Sequence, residues 1–393
     1  MAEALPAPDE RAAETSRALA QRIGAAIDAA GGWIGFDCYM EMALYEPGLG
    51  YYAAGSRKLG AAGDFVTAPE LTPLFGECLA AQCAQWFDQC VPEVLEFGAG
   101  SGALAARLLA ALAAAGAAPR RYAILELSGE LRERQRRTLA EQVPALLDRV
   151  DWLDVLPQRI EGVVLANEVL DAMPVRLFAA RGGEVLERGV GRAGDAAQFA
   201  FADRPADAAF AQRVREALED AWDAAGEGEY VSEIGEQAQA WVETVGARLV
   251  RGAMLLIDYG FPRAEYYHPQ RSMGTLQCHY RHRVHGDPFV LPGLQDITAH
   301  VDFTAVNRAA QRAGLSTLGY TSQARLLLDC GLLDRFAALP REDTVAWARQ
   351  AQAVQQLLSE AEMGELFKAI AFGRGMPDDA LGFATRDRRG TLG

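Results

Sequence analysis

The sequence predicts an α/β fold built on one parallel sheet, and three observations support that prediction. Short apolar runs typical of buried strands alternate with helical patterns between about residues 91 and 260. A glycine-rich turn joins the first of these strands to its helix. Long segments that do not fit a sheet strand precede, follow and interrupt the alternating strands and helices. Alternating strands and helices indicate right-handed crossovers and a parallel sheet. The predicted strands are VPEVLEFG (91–98), RRYAILEL (120–127), residues 150–153, EGVVLANE (161–168) and RGAMLLIDYG (251–260).

The N-terminal region predicts two helices followed by a loop. Residues 10–30 form an alanine-rich helical pattern, and Asp37 has the position of a cap for a short helix that ends near Leu44. The segment 47–65 is too rich in glycine for a regular element. We therefore predict a long loop there, and loops of this length are often functional.

A longer helix is predicted after this loop. Thr67 and Glu70 have the spacing of a capping box, and apolar residues then recur at helical spacing. The stripe consists of Leu71, Leu74, Phe75, Cys78, Leu79, Cys83, Trp86, Phe87 and Cys90. We expect it to be a buried core face, with a homodimer contact as the alternative.

Two segments are predicted to be insertions that cover one site rather than separate domains. They comprise about residues 184–230 and the irregular segment 261–303, which is rich in Tyr, His, Arg and Pro. The predicted organisation is therefore N-terminal helices with a cover loop (1–62), a sheet-bearing core with both insertions (63–330), and C-terminal helices with a loose tail (331–393).

The charge balance argues against two classes of partner. The 393 residues include 38 Lys and Arg against 53 Asp and Glu, which gives a net charge of −15. Such a chain repels phosphate backbones and anionic lipids. The longest apolar stretch, residues 103–118, is dominated by alanine and contains Arg107, so it predicts a helix of a globular core. We expect no binding to nucleic acid and none to membranes.

Cysteine usage and the first residues predict a cytoplasmic protein. No C-x-x-C pair occurs and a chain of this length needs no disulfides, so reduced thiols are expected. Residues 1–21 contain Asp and Glu where a secretory signal would be basic and then apolar, and they do not fit an Arg-rich transit peptide either. The six cysteines are Cys38, Cys78, Cys83, Cys90, Cys278 and Cys330.

The strongest local signal is EFGAGSG, residues 96–102, which ends a predicted strand and opens a helix. Gly98 allows a tight turn, Gly100 a close backbone approach to a ligand, and Gly102 close packing of the helix on the strand. Free N–H groups at a helix start favour a carboxylate or a phosphate. A purely structural turn is the alternative, but the flanking elements favour ligand binding.

The spacing of these glycines restricts the ligand. A dinucleotide-binding loop requires G-x-G-x-x-G, whereas this chain has G-x-G-x-G preceded by Glu96. That form resembles the S-adenosylmethionine-dependent methyltransferases, in which the methionine end of the cofactor lies beside the glycines. Glu126 ends the second predicted strand, where a carboxylate can accept both ribose hydroxyls. A solvent-facing acid at a strand end is the alternative for Glu126.

Further polar residues end the fourth predicted strand. Asn167 and Glu168 should face the same crevice, because an open α/β sheet binds ligands outside the carboxyl ends of its strands. Asp171 follows about one helical turn later. A carboxylate here can hold a cationic guanidinium by two hydrogen bonds and help its proton to leave. Capping of a short helix is the alternative role.

Eight segments extend this resemblance over residues 35–328. They are GYYAAG, GDFVTAPELTPLFGE, EFGAGSG, ILELSGELRERQ, NEVLDAMPV, LIDYG, MGTLQCHYRH and LQDITAHVDF. Their order resembles that of the MidA-type class I methyltransferases, a family that includes the mitochondrial complex I assembly factor with protein-arginine methyltransferase activity. Several of the segments lie outside the generic methyltransferase core, so the resemblance is specific.

The resemblance implies a Rossmann-like class I methyltransferase sheet with a helical N-terminal extension, S-adenosylmethionine as cofactor, and methyl transfer to a protein arginine. The family's GDF-x-T-x-PE motif, residues 63–70, would fold over the methionine end, although a capping box also explains Thr67 and Glu70. The implied cofactor-binding residues are Glu96, Gly98, Gly100, Gly102, Glu126, Asn167, Thr67 and Pro69. The implied catalytic residues are Glu168, Asn167 and Asp171.

Two clusters in the irregular segment invite a metal-site interpretation. The first consists of Cys278, His279, His282 and His285, and the second of Asp296, His300 and Asp302. Three-residue spacing converges on a metal only in a helix, and Gly286 and Pro288 indicate a loop instead. We expect no metal. The second cluster is predicted to cap and pack helices, or alternatively to line a substrate cleft.

The sequence therefore predicts a methyltransferase with a protein substrate. Its acidic surface would help to attract an arginine-bearing segment. One alternative is a nicotinamide-dependent oxidoreductase on a similar sheet, against which the glycine spacing argues. The other is a non-catalytic assembly factor that retains the cofactor pocket.

Overall fold

A computed structural model of the protein describes residues 5–54, 67–194, 198–219, 222 and 228–393. The described strands, in chain order, are β1 (Ile34–Gly35), β2 (Glu93–Phe97), β3 (Arg121–Leu125), β4 (Val150–Leu153), β5 (Ile160–Asn167), β6 (Arg176–Arg181), β7 (Glu184–Arg192), β8 (Phe199–Pro205), β9 (Glu229–Ile234), β10 (Leu249–Phe261), β11 (Gln277–Tyr280), β12 (Arg283–His285), β13 (Asp296–Thr298), β14 (Val301–Asp302), β15 (Ser316–Ser322) and β16 (Phe367–Arg374). The described α-helices are Glu10–Ala29, Phe36–Tyr45, Ala68–Leu71, Pro73–Phe87, Ala103–Ala114, Gly129–Gln142, Ala208–Leu218, Glu236–Arg248, Arg263–Tyr266, Phe303–Arg312, Gln323–Asp329, Leu332–Ala337, Thr344–Leu358 and Met363–Leu366.

The central sheet has the order β15-β16-β10-β5-β2-β3-β4, and the short β14 pairs with the end of β10. Strands β4, β3, β2, β5 and β10 are parallel, whereas β16 is antiparallel to both of its neighbours. The five predicted strands and the α/β class are confirmed. The chain leaves β2 in one direction and returns to β5 in the other, so the switch in strand order lies between them, where such sheets bind ligands.

Helices cover both faces of this sheet, which explains why its strands are continuous apolar runs. Alternate residues of each strand enter opposite cores, for example Val94 and Val163 on one face and Leu95 and Val164 on the other. The stripe of the helix Pro73–Phe87 is buried in the first core. The prediction of a core face is confirmed, so this stripe supplies no dimer contact, and homodimerisation stays a prediction.

The long helix begins later than its predicted cap. Thr67 precedes only the four-residue helix Ala68–Leu71, and its side chain makes no capping hydrogen bond. The Thr72 side chain caps the long helix instead, accepting the Leu74 N–H over 3.2 Å. Pro73 at the first helical position also favours a helix start there. The capping predicted for Asp37 is likewise wrong, because Gly35 holds that position for the helix Phe36–Tyr45.

A second, antiparallel sheet occupies the region predicted as an insertion. Its path is β1-β7-β6-β9, with β8 paired to β7. Residues 176–181 and 184–192 pair as the antiparallel strands β6 and β7, and the sequence analysis did not predict β9. Residues 277–298 form a three-stranded sheet rather than the predicted irregular region.

The C-terminal region contributes more than the predicted helices and loose tail. Strand β16 lies inside the central sheet, between β15 and β10, with eight residues paired to β10. Beyond it, Phe383 and Leu392 are buried. The boundary predicted at residue 331 is therefore wrong, because the sheet is completed by residues beyond it.

All six cysteines are free thiols, and four of them are buried. Within the described ranges, none of the helices combines the length and the apolarity needed to cross a membrane. These residues also contain no group of three His, Cys, Asp or Glu side chains arranged to hold a metal ion. The region around His282 is the turn of the β11–β12 hairpin, with positive φ at Arg281 and His282.

Candidate active site

A cavity of about 780 Å³ lies at the carboxyl ends of β2, β3, β4 and β5. This volume is within the usual range of ligand sites, about 300–1,000 Å³. Its lining includes eight residues predicted from the sequence, which are Thr67, Pro69, Glu96, Gly98, Gly100, Glu126, Asn167 and Glu168. The predicted residues Gly102 and Asp171 are absent from that lining and lie behind it.

The glycine loop has the conformation that only glycine adopts without strain. Gly98, Gly100 and Gly102 have φ of 60°, 53° and 84°. The helix Ala103–Ala114 starts at Gly102, which has no side chain to cap it. The first backbone N–H groups of this helix are therefore available to an anionic ligand at the cavity wall.

The close approach at Gly102 differs from the prediction. A Cβ atom on Gly102 would lie 3.1 Å from the Gln135 Cα, so this glycine accommodates the neighbouring helix Gly129–Gln142 rather than the strand. Gly98 faces the residues that follow β5, because a Cβ atom there would meet the Val169 Cγ2 at 3.0 Å.

The Glu126 carboxyl is buried, with 7% of its residue surface exposed, so the alternative of a solvent-facing acid is excluded. Its Oε1 accepts the Ser128 N–H over 2.9 Å, and its Oε2 accepts the Gln135 Nε2 over 3.1 Å. Gln135 also donates to the Gly100 carbonyl over 3.1 Å. This network couples Glu126 to the glycine loop and fixes both.

Glu96 lies beneath the same loop. Its Oε2 accepts the Tyr122 hydroxyl over 2.7 Å, and burial raises the pKa of its carboxyl to about 7. Asp154 completes this side of the cavity from the end of β4. The sequence analysis did not identify Asp154, although its position after a short predicted strand is the signal that could have found it.

Three acidic side chains gather at the end of β5 and β10. Asn167 Nδ2 donates to Glu168 Oε1 over 2.9 Å, while the buried Asn167 Oδ1 has no hydrogen-bond partner among the described residues. Burial and, secondarily, the charge of Asp171 raise the pKa of Glu168 to about 8. Burial also raises the pKa of Asp171 to about 6, although Tyr259 donates a hydrogen bond to it.

Asp258 is the third member and was missed by sequence reasoning. Its Oδ2 accepts the N–H groups of Val169, Leu170 and Asp171 over 3.1, 2.9 and 3.3 Å. Burial and the charges of Asp171 and Glu168 raise the pKa of its carboxyl. Asp258 stands in LIDYG at the end of a predicted strand, so the rule that identified Glu168 also applied to it.

The backbone at Glu168 is strained. Its φ is 55°, which is uncommon for a residue other than glycine. The Glu168 N–H donates to the Ile257 carbonyl over 2.8 Å, and the amides bound by Asp258 follow directly. These contacts hold the turn in place, and strain of this kind is concentrated at functional sites.

The two segments predicted to cover the site differ in their relation to the cavity. Pro47, Tyr52 and Ala53 line the cavity, whereas residues 55–65 of the predicted cover loop lie outside the described residues. The segment 261–303 contributes none of the described lining. Asp302 caps the helix Phe303–Arg312 by accepting the Ala305 N–H over 3.0 Å, which confirms the prediction of helix capping for this residue.

The fold and this site define a class of protein. The family model described as "Putative S-adenosyl-L-methionine-dependent methyltransferase" matches residues 78–321, more than half of the chain. The protein belongs to this family, and S-adenosylmethionine is its cofactor. The resemblance to MidA-type methyltransferases is confirmed, and the oxidoreductase alternative is wrong.

Particular relatives agree with this assignment. "Protein arginine methyltransferase NDUFAF7, mitochondrial" of Mus musculus is 31% identical over 385 residues, covering 89% of this chain and 82% of its own length. Its Homo sapiens counterpart is 28% identical, with 85% and 78% covered. A Burkholderia thailandensis superfamily member, whose crystal structure contains S-adenosyl-homocysteine, is 54% identical with a TM-score of 0.94 over 99% of this chain and 100% of its own.

The prediction of a cytoplasmic protein is contradicted by the curated relatives, which are named as mitochondrial. That prediction depended on residues 1–21. A missing targeting pattern in a short segment gives no positive information about the compartment of the folded protein.

The residues of the cavity fit the cofactor. Amides at the helix start can bind its carboxylate, and the fixed Glu126 carboxyl can accept hydrogen bonds from ribose hydroxyls. Leu127, 78% exposed, and Leu156 offer apolar surface for the base beside Asp154. The unpartnered Asn167 Oδ1 points to a hydrogen-bond donor that this site still lacks.

Proposed function

We propose that the protein transfers a methyl group to a guanidinium nitrogen of an arginine in a protein substrate. The observation that carries the proposal is a cluster of three carboxyls at the transfer end of the cavity, where Glu168 lines the cavity and Asp171 and Asp258 are buried behind it. Like charges in a buried site repel, and each carboxyl raises the pKa of a neighbour. A guanidinium would relieve that repulsion and match the carboxylate geometry. The names of the curated relatives support the same acceptor.

Positioning is the main task of this chain. The bound cofactor supplies an electrophilic methyl group on a sulfonium. Glu168, held by Asn167, would orient the planar guanidinium so that one nitrogen faces that methyl group in line. As the nitrogen gains the methyl group it must release a proton. The pKa of about 8 keeps the Glu168 carboxyl largely protonated at neutral pH before an acceptor binds. Binding of the guanidinium would release that proton, and the carboxylate would then accept the proton that the methylated nitrogen gives up.

Asp171 and Asp258 act through Glu168. Asp258 fixes the strained turn by accepting its amides, and Asp171 adds negative charge behind the carboxyl of Glu168. Together they favour a cation over a neutral acceptor. The expected acceptor is therefore an arginine side chain exposed on a flexible segment of a protein.

A labelling experiment tests the proposal. Purified protein, S-adenosylmethionine with an isotopic methyl label and an extract from cells that lack this protein are incubated, and hydrolysed proteins are analysed for methylated amino acids. We expect label in methylarginine. Glu168→Gln should abolish it, whereas Glu161→Gln, an exposed residue at the opposite end of β5, should not.

The other outcomes distinguish the alternatives. Label in another amino acid would contradict the arginine acceptor. Absence of all label from a protein that still binds S-adenosyl-homocysteine would favour the non-catalytic assembly factor.

A further inference from the structure

The cavity has a wall that comes from outside the cofactor-binding elements. The helix Phe36–Tyr45 and the turn after it contribute five lining residues, which are Glu41, Tyr45, Pro47, Tyr52 and Ala53. They precede residues 78–321, the part matched by the methyltransferase family model. The wall therefore comes from outside the part of the chain that the family model matches.

The two tyrosines of this wall are fixed through their hydroxyls. Tyr45 donates to the Ala172 carbonyl over 3.0 Å, and Tyr52 donates to both carboxyl oxygens of Asp296 over 3.0 Å. Their rings are nearly parallel, at 20° with centroids 5.5 Å apart. Because both hydroxyls are engaged within the protein, these residues offer a ligand ring surface rather than a hydrogen-bonding group.

The position of the wall connects it to the transfer end. The carbonyl that holds Tyr45 belongs to Ala172, the residue directly after Asp171. Ala172 and Pro174 line the cavity together with Glu168. The aromatic surface therefore lies on the same side of the cavity as the carboxyl group proposed to receive a guanidinium.

Ring surface beside carboxylates suits one kind of cation. A guanidinium is planar and weakly hydrated, so it stacks on an aromatic ring while it donates to a carboxylate at its edge. An ammonium is compact and strongly hydrated and gains less from the same ring. Glu41 is exposed at this wall, where its charge favours the approach of a cationic segment.

We propose that Tyr45 and Tyr52 form the acceptor subsite, in which their rings receive the arginine side chain and select it over lysine. The negative charge of Glu41 favours the approach of the cationic segment, and Asp296 is a positioning residue that holds Tyr52 through its hydroxyl. This inference rests on the proposed function, because it assigns a wall to the acceptor of that reaction.

Leucine and phenylalanine variants separate ring surface from hydroxyl. Tyr45→Leu and Tyr52→Leu should each raise the KM for the arginine acceptor peptide roughly tenfold and change kcat less than threefold. Tyr45→Phe and Tyr52→Phe keep the ring and should stay within about threefold of the wild type in KM. The Kd for S-adenosyl-homocysteine, measured by calorimetry, should stay unchanged in all four and shows that each variant is folded.

A binding measurement keeps the two proposals distinguishable. Protein saturated with S-adenosyl-homocysteine is titrated with a short synthetic peptide that contains one arginine, and separately with the same peptide in which lysine replaces that arginine. We expect a preference for arginine that both leucine variants reduce. Equal binding of both peptides by the wild type, or leucine variants with unchanged KM and unchanged preference, would overturn the acceptor subsite. An arginine preference without methyl transfer would leave the subsite standing and contradict the proposed function.

Discussion

Two glutamates on the same edge of the central sheet have opposite environments. Glu126 accepts hydrogen bonds from Ser128 and Gln135, and its network reaches the glycine loop. Glu168 is held by Asn167, sits on a strained turn and lies near two further acids. Burial raises the pKa of both, but only at Glu168 do neighbouring carboxyls add to that rise.

The difference teaches how the site divides its work. A carboxyl that the protein already holds by one hydrogen bond to each oxygen can orient a ligand with its remaining lone pairs, but it changes little when that ligand binds. A carboxyl crowded by like charges is destabilised until a cation arrives, so its state depends on the acceptor. Under the proposed function, the cofactor edge is organised before binding, and the acceptor edge is completed by it.

The largest effect is expected from Glu168→Gln. The amide keeps the shape but can neither carry the charge nor accept the proton, so kcat/KM for methyl transfer should fall by roughly 10²–10⁴-fold. Affinity for S-adenosyl-homocysteine should stay within about threefold of the wild type, because the cofactor edge does not depend on that charge. Steady-state kinetics and calorimetry measure both, and a variant with wild-type turnover would remove Glu168 from the mechanism.

Glu126→Gln should affect the other edge by a smaller factor. The loss of a charged acceptor for ribose hydroxyls should weaken S-adenosyl-homocysteine binding by about 10–100-fold, with a smaller change in the KM of the acceptor. The matched control is Glu130→Gln, in the first turn of the next helix and in a surface ion pair with Arg134. If Glu126→Gln raised the acceptor KM more than the cofactor Kd, the two edges would not be independent.

Gly102→Ala tests how rigidly the cofactor edge is organised. The φ of 84° and the 3.1 Å approach to Gln135 oppose a Cβ atom, so stability should fall by roughly 1–3 kcal/mol. The control is Gly129→Ala, where no atom lies within 4 Å of the added carbon. Denaturant unfolding should separate the two variants, and equal stabilities would show that the loop can relax.

The acceptor edge should contribute a large part of the pH dependence of stability, to which the buried Glu96 of the cofactor edge adds. Raised pKa values at Glu168 and Asp171 mean that the folded protein retains protons that the unfolded chain releases. Stability without ligands should therefore decrease as pH rises from about 4 to about 8. Glu168→Gln removes one such group and should reduce that decrease by on the order of 1 kcal/mol or more. If Glu168→Gln kept the wild-type pH dependence of the free energy of unfolding, the repulsion between carboxyls would not involve Glu168.

The sequence predicted the cofactor edge well because its signals are local. A glycine that needs positive φ and an acid at a strand end are both visible within a few residues, and EFGAGSG with Glu126 contains them. Asn167 and Glu168 were found by the same rule. The packing partner of Gly102 was predicted wrongly, because that partner, Gln135, lies on another helix and a local argument cannot identify it.

The remaining errors concern partners that are distant in sequence. Tyr52 meets Asp296 across 244 residues, so neither could be paired from the sequence. The strand β9 was masked by its junction with a helix, and β16 by its place after several helices. In each of these cases the tertiary pairing determines the structure, and the local pattern fits more than one outcome.

The strand β16 has a consequence for how the molecule is made. Residues 367–374 insert between β10 and β15, so eight backbone pairs of β10 stay open until almost the whole described chain has left the ribosome. At roughly 5–20 residues per second, more than a hundred residues separate β10 from its partner by several seconds of synthesis. An open hydrophobic strand edge is prone to aggregate during that interval. Biogenesis of this enzyme should therefore depend on chaperones that protect the nascent sheet.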